Sequence, residues 1–244
     1  MNHAEKIKPY SEELPKKEQV SNMFDNISHY YDFLNHFLSL GIDHSWRRKA
    51  ISFLKDAKPQ VMLDVATGTA DLALEAQRQL SPKQIIGIDI SNKMLEIGRK
   101  KIEKRQLSDT IQLYTGDSEN ISFDDNTFDA ITVAFGVRNF ENLVKGLNDM
   151  KRVLKPNGQL VVLEFSKPKM FPFKQLFNMY FKYILPTIGK LTSKDDRAYD
   201  YLYESVQAFP DGTEFGKVLE KCGFSAIEMH PLTLGICTAY VCKK

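Results

Sequence analysis

The chain has 244 residues, of which 43% are hydrophobic, and its 33 basic and 31 acidic side chains leave a formal net charge of +2. That length suits one α/β domain with additions, the apolar content is enough for a sizeable core, and the near-neutral charge excludes an overall nucleic-acid footprint. The three cysteines, Cys222, Cys237 and Cys242, lack metal-ligand spacing and the start from Met1 to Ser11 is polar, so reduced thiols in the cytoplasm and no secretory leader are expected.

Lysine is dense from Lys6 to Lys17, so residues 1–16 read as a solvated, flexible tail ahead of a single domain over 17–244. Residues 17–56 form an N-terminal helical region. Val61–Ala66 is a short apolar strand and Asp71–Leu80 a helix. Gln84–Ile90 is the next strand; Ser91 then reads as an N-cap, with Met94, Leu95, Gly98 and Ile102 on one helical face. Strands follow at Thr110–Tyr114 and Phe128–Phe135. Leu143, Leu147, Met150 and Leu154 make a helical stripe, Lys155-Pro156-Asn157-Gly158 a turn, and Leu160–Phe165 a buried strand.

Residues 167–210 are inserted after that strand, and Phe171–Ile188 is aromatic-rich and helical. The greasy run from Leu176 to Leu191 is broken by Lys182, Pro186 and Lys190, so it cannot span a bilayer, which takes about 20 apolar residues. It suits a position on the membrane surface. Asp211–Cys222 is a helix with Gly223 just past its end, and Ala226–His230 and Gly235–Val241 are two strands joined by a tight turn. Alternating strand and helix implies a doubly wound α/β fold. The closing hairpin implies a mostly parallel seven-stranded sheet with an antiparallel C-terminal strand and flanking helices. Such an ending resembles the Rossmann-like class I arrangement of S-adenosylmethionine-dependent methyltransferases.

The strand tips carry the candidate cofactor residues. The first strand leads into Leu63-Asp64-Val65-Ala66-Thr67-Gly68-Thr69-Ala70-Asp71, a turn of small residues. Gly68 lets the backbone come close to a ligand, and the helix N-terminus beyond it can hold a carboxylate. Asp64 is placed to accept from the methionine ammonium, and Thr69 adds a hydroxyl. The turn is not G-x-G-x-x-G, which argues against a dinucleotide. Asp89, with Ile90 beside it, ends the second strand about 20 residues past the glycine, where an acid accepts from ribose hydroxyls. Asp117 and Ser118 follow the third strand and suit the adenine edge. Each acid taken alone also reads as a loop-capping carboxylate.

Longer motifs make the resemblance specific. They are Tyr31-Asp32-Phe33-Leu34-Asn35, Ser39-Leu40-Gly41 and Trp46-Arg47, then Phe135-Gly136-Val137-Arg138-Asn139 after the fourth strand. They continue with Arg152-Val153-Leu154-Lys155-Pro156-Asn157-Gly158, Leu163-Glu164-Phe165-Ser166-Lys167-Pro168, Tyr201-Leu202-Tyr203-Glu204-Ser205-Val206 and Phe209-Pro210. On these the chain resembles the ubiquinone/menaquinone biosynthesis C-methyltransferases over roughly Val20 to Tyr240. The resemblance places the family's cofactor positions on Thr69, Asp89, Asp117 and Ser118. Two positions depart from the family: Ala134 stands where a serine is usual and Thr67 where many members have glycine.

The resemblance implies methyl transfer from S-adenosyl-L-methionine to a ring carbon of a prenylated quinol, such as demethylmenaquinol or a ubiquinone precursor, with S-adenosyl-L-homocysteine as product. Arg138 would favour the developing oxyanion and Asn139 would orient the hydroxyl; a structural ion pair of Arg138 with Glu141 or Asp117 stays open. His29, His36 and His44 do not fall on one helical face, so no metal is expected. Tyr30, Tyr31, Phe33, Phe37 and Trp46 either line a ring pocket or pack on the core. The insertion's Phe171, Phe173, Phe177, Tyr180, Phe181 and Tyr183, with Lys174 and Lys182, would cover a prenyl tail, meet the inner face of the membrane, or form an ordinary dimer or core face. Phe135-Gly136-Val137-Arg138 is not the Pro-Pro-aromatic loop of nucleic-acid or glutamine N-methylating enzymes. The competing functions are methylation of another lipophilic phenol or sterol, and a non-catalytic prenyl-lipid-binding scaffold.

Overall fold

The computed structural model describes residues 3–10, 13–39, 41–180, 183 and 196–244. The elements in chain order begin with α1 (His3–Lys6), α2 (Lys16–Leu38), α3 (Ile42–Ser52), β1 (Val61–Val65), α4 (Asp71–Leu80), β2 (Gln84–Asp89), α5 (Asn92–Lys104), β3 (Ile111–Thr115) and β4 (Phe128–Ala134). After a single 3-10 turn at Val137–Asn139 come α6 (Leu143–Val153), β5 (Leu154–Phe165), α7 (Phe173–Met179), α8 (Asp196–Ala208), α9 (Thr213–Lys221), β6 (Ser225–Leu232) and β7 (Cys237–Lys243).

The seven strands form one sheet in the order β3-β2-β1-β4-β5-β7-β6. The first five run parallel, and β7 is antiparallel to both β5 and β6. The expected sheet and its antiparallel closing strand are therefore present. The central strands are apolar on both sides because helices cover both faces. Leu63, Val65, Ile86 and Ile88 pack on one face with Leu147 and Met150 of α6 and Phe215 of α9. Met62, Ile85 and Leu163 pack on the other with Trp46 of α3, Leu72 of α4 and Leu95 of α5. Side chains alternate sides along a strand, so neighbouring residues feed opposite cores.

Two local expectations change. Leu154 sits on the helical stripe and its N–H still bonds the carbonyl of Met150, but its own φ/ψ of −75°/135° is extended and it pairs with Phe128. The Lys155–Gly158 turn is a bulge within β5: two steps along β4, from Phe128 to Ala130, correspond to five along β5, from Leu154 to Gln159. The tight turn expected between the last two strands is a 3-10 turn at Thr233–Gly235, with Leu234 at φ 59°.

The described part of residues 1–16 differs from a solvated tail. Lys16 is buried, its backbone N–H donates to Glu141 at 2.8 Å and its ammonium to the carbonyl of Arg138 at 3.2 Å, while Glu5 accepts from the N–H of Leu143. A third apolar cluster joins Val20 and Met23 of α2, Phe177 of α7, and Tyr199, Tyr201 and Val206 of α8. This cluster stands over the C-terminal ends of the parallel strands.

Candidate active site

The turn after β1 bends through left-handed backbone at Ala66 (φ 52°), Gly68 (φ 54°) and Ala70 (φ 66°). Such a conformation is ordinary for glycine and strained for alanine, by about 1–3 kcal/mol each, and such strain gathers at functional sites. Two narrow clefts meet above Ala66. One holds Asp89, Ile90, Gly116, Asp117, Ser118, Gly136 and Asn139. The other holds Asp64, Thr67, Gly68, Thr69, Asp71 and Phe135. A Cβ on Gly136 would lie 2.6 Å from that of Ala66, so only glycine fits against the first turn there. The strand-tip residues singled out in the sequence thus lie along one channel at the C-terminal edge of the sheet.

Their hydrogen bonds are specific. Asp89 accepts the N–H of Gly68 at 2.8 Å and of Ser91 at 2.9 Å. Asp64 accepts the hydroxyls of Thr67 at 2.6 Å and Thr132 at 2.7 Å. Burial dominates both carboxyls and pushes each up to about 6, although those hydrogen bonds pull the other way. Asp117 is bound by the ammonium of Lys17 at 2.7 Å and accepts the N–H of Glu119. Thr69 donates to Asp32 at 2.6 Å and accepts from Lys101 at 2.9 Å.

The helix α2 crosses all three strand tips. Lys17 meets Asp117 beyond β3, Asp25 accepts from Ser91 beyond β2, and Asp32 accepts from Thr69 beyond β1. These three α2 residues are about two helical turns apart, so they share one face. Nothing in the periodicity of α2 reveals this, because polar contact residues read as solvated. With α2 seated, the two clefts hold about 50 and 40 Å³. Small-molecule pockets usually run to about 300–1,000 Å³. Carboxylate acceptors, hydroxyls and backbone N–H groups line both clefts beneath α2.

Beside this channel lies an apolar cavity of about 500 Å³. It shares Phe24 and Asn139 with one cleft and Tyr31, Arg47 and Phe135 with the other. Trp46 and Tyr31 line it, whereas Tyr30 points to solvent. From the insertion, Phe173, Phe177 and Tyr180 line it, while Phe171 is 79% exposed. The side chains of Phe33 and Phe37, and residues Phe181 and Lys182, lie outside the described residues.

Arg138 is only 7% exposed and lines the cavity. It does not pair with Glu141 or Asp117: its guanidinium bonds Glu164 of β5 at 2.8 Å and the carbonyl of Phe135, and lies 5.4 Å from the Phe165 ring. Its buried Nε has no partner. Asn139 donates to the carbonyl of Phe135 and accepts from the Tyr201 hydroxyl at 3.2 Å. Burial pushes the Glu164 carboxyl up, against the pull of Arg138, and pushes the Tyr201 hydroxyl up as well. Glu164 is a site residue the sequence reading quoted only as motif. Its signal was a lone acid ending the apolar run Leu160-Val161-Val162-Leu163.

A second polar cluster joins the cavity to the first turn. Lys101 bridges Asp32 at 2.6 Å and Asp71 at 2.7 Å. Arg47 pairs with Asp43 at 2.5 Å and stands 3.7 Å from Asp71. His36 of α2 and His44 of α3 stack at 4.2 Å, and with Asp43 their ligating atoms lie within 4.8 Å. Asp43 is already engaged by Ser39, His36 and the Arg47 guanidinium, and a fixed positive charge at that distance opposes a cation. His29, also on α2, is exposed and is not part of this group.

The geometry can be set against known proteins. The family model described as the ubiE/COQ5 methyltransferase family matches residues 13–244. A demethylmenaquinone methyltransferase of Bacteroides fragilis is 55% identical over 98% of each chain. One of Porphyromonas gingivalis is 43% identical over 99% of each. A ubiquinone/menaquinone biosynthesis C-methyltransferase of Geotalea daltonii is 46% identical over 94% of this chain and 97% of that one. Among solved structures, a SAM-dependent methyltransferase from Aquifex aeolicus has a TM-score of 0.53 at 19% identity, covering 75% of this chain and 81% of that one. Phosphoethanolamine N-methyltransferase 2 of Haemonchus contortus has a TM-score of 0.58 at 14% identity, covering 80% and 52%. These structures share the fold.

Proposed function

The chain belongs to the ubiE/COQ5 methyltransferase family, and on that premise we propose that it methylates a ring carbon of a prenylated quinol, converting demethylmenaquinol to menaquinol. The observation that carries this reading is the apolar cavity of about 500 Å³ that opens onto both arms of the strand-tip channel. Relatives at 55% and 43% identity bear the demethylmenaquinone name and support the naphthoquinol over other phenols and sterols.

S-adenosylmethionine, when bound, supplies a methyl group on a sulfonium and leaves as S-adenosylhomocysteine. Asp89 would accept from its sugar hydroxyls, beside the apolar side of Ile90. Asp117 and Ser118 would meet the adenine edge once Lys17 withdraws. Asp64, Gly68 and Thr69 would hold the amino-acid end, with the Asp64 carboxylate facing the ammonium. On the acceptor side, Arg138 would bring its positive charge to the wall of the apolar cavity, where phenolate character develops. Asn139, fixed by Phe135 and Tyr201, orients the quinol hydroxyl. The cavity walls hold the ring against the channel, and such positioning supplies much of the acceleration.

The same reading places a membrane beside the cavity mouth. Met170, Phe171, Leu176 and Met179 are exposed apolar side chains, and Leu176 and Met179 also line the cavity. Among the described residues no helix is long and apolar enough to cross a bilayer. Peripheral contact suits a substrate whose tail dissolves in lipid.

The test is to incubate the protein with methyl-labelled S-adenosylmethionine and either a demethylnaphthoquinol or a benzoquinol of equal prenyl length. Label in the naphthoquinol product is expected. No binding heat with S-adenosylmethionine and no label in either acceptor would replace this reading with the prenyl-lipid scaffold.

A further inference from the structure

Quinol methylation releases one proton for each methyl group transferred, because a neutral ring gains CH3 and loses H while the sulfonium becomes a neutral thioether. That proton must leave an apolar cavity. Among the described residues that wall the cavity, Asp43 is the single carboxylate, and no histidine or lysine lines it. Glu164 is fully buried behind Arg138 and reaches no solvent.

Asp43 does reach solvent, through one neighbour. Its Oδ1 accepts from the Ser39 hydroxyl at 2.7 Å, and Ser39 also lines the cavity. Its Oδ2 lies 2.7 Å from Nδ1 of His36, a side chain 30% exposed. A hydroxyl, a buried carboxylate and a half-exposed imidazole thus form a continuous chain from cavity to surface. We propose that Ser39, Asp43 and His36 form the proton exit of the methyl-transfer reaction. This rests on the quinol-methylating reading above.

The balance is simple. Once the new C–C bond has formed, the ring C–H bond breaks and its electron pair restores the aromatic ring. The proton passes to an Asp43 oxygen and on to His36, whose imidazole hands one proton to water, so that the carboxylate and the neutral ring are restored after each turnover. Ser39 positions the carboxylate. Burial raises the Asp43 carboxyl, but Ser39, Arg47 and His36 together hold it below the ordinary carboxylate range. Asp43 is therefore a conduit that does not retain the proton. The groups facing His36 are Asp43, His44 and Arg47 of α3 and Asp71 of α4, whose oxygen is 3.7 Å from Nε2. Behind Asp71 stand Lys101 of α5 and Asp32 of α2.

The test compares the full chain with its His36→Gln and Asp43→Asn variants on demethylmenaquinol in detergent, with kcat measured across about pH 5 to 8, where histidine changes charge. The expected result for His36→Gln is a kcat lower by about 10-fold to 100-fold. Its acceptor KM and cofactor affinity stay unchanged, the acid-side limb of the pH profile disappears, and added imidazole restores turnover. Asp43→Asn also disturbs the pair with Arg47, so its thermal midpoint is read alongside; it should lose turnover without imidazole rescue. A His36→Gln enzyme with unaltered kcat and profile, or one that imidazole does not rescue, overturns the proton route alone. A native protein that methylates no quinol overturns the acceptor assignment and the route with it.

Discussion

The backbone N–H of Gly68 donates to the carboxylate of Asp89 at 2.8 Å, tying the turn after the first strand to the tip of the second across 21 positions of sequence. The other oxygen of Asp89 takes the N–H of Ser91. Both contacts require an acceptor. Asp89→Asn turns one oxygen into a donor and sets it against an N–H. A loss of about 1–3 kcal/mol is expected in folding stability and again in cofactor binding. Thermal unfolding and calorimetry with S-adenosylmethionine measure the two.

Asp64 and Asp89 both have carboxyls raised to about 6. Unfolded aspartate titrates near about 3.9, so between pH ~4 and ~6 the folded state binds more protons than the unfolded state. In the absence of cofactor, these two groups therefore make the protein more stable as pH falls from about 7 towards 5. Cofactor affinity moves the opposite way, because an ammonium and sugar hydroxyls need ionised acceptors; it should fall by about tenfold per pH unit for each group below pH ~6. Melting and binding titrations over the same pH series check both signs. A midpoint that drops while affinity rises would reverse the argument.

Arg138 and Glu164 form a buried ion pair, and removing one partner leaves the other uncompensated. Glu164→Ala should cost about 3–5 kcal/mol of stability. Arg138→Met with Glu164→Leu should recover much of that loss, because apolar replacements of similar size often match a buried pair. Turnover should not recover, since the positive charge at the cavity wall is gone. Cofactor binding should be retained in the double variant. A double variant that is stable and active would make the pair purely structural.

The exposed apolar residues at the cavity mouth predict lipid contact. Replacing Met170 and Phe171 by serine should weaken co-sedimentation with vesicles, by roughly 1.5–3 kcal/mol for each side chain that enters the lipid, and leave turnover on a short-tailed soluble quinol unchanged. Equal sedimentation of native and variant protein would remove the membrane from the account.

Much of the molecule was readable one segment at a time. The strands of the parallel sheet, the Ser91 cap that accepts the N–H of Met94 at 3.3 Å, and the acid ending β2 are set by residues close in sequence, so apolar period and turn chemistry suffice. Leu154 shows the limit of that reasoning. Its position fits a helical stripe, yet pairing with Phe128 draws its backbone into the sheet.

What the sequence by itself determined was the α/β order, the small-residue turn and the acids at successive strand tips, because each depends on short-range backbone preference and local polarity. Tertiary structure alone decided which partner each charge meets. Arg138 met Glu164 rather than Glu141, Lys17 reached Asp117 across 100 positions, and His36 came to lie on Asp43. Parallel strands joined by crossovers bring all C-terminal tips to one edge, and α2 then lies over that edge. Charges there find one another by packing, and no spacing along the chain encodes that choice.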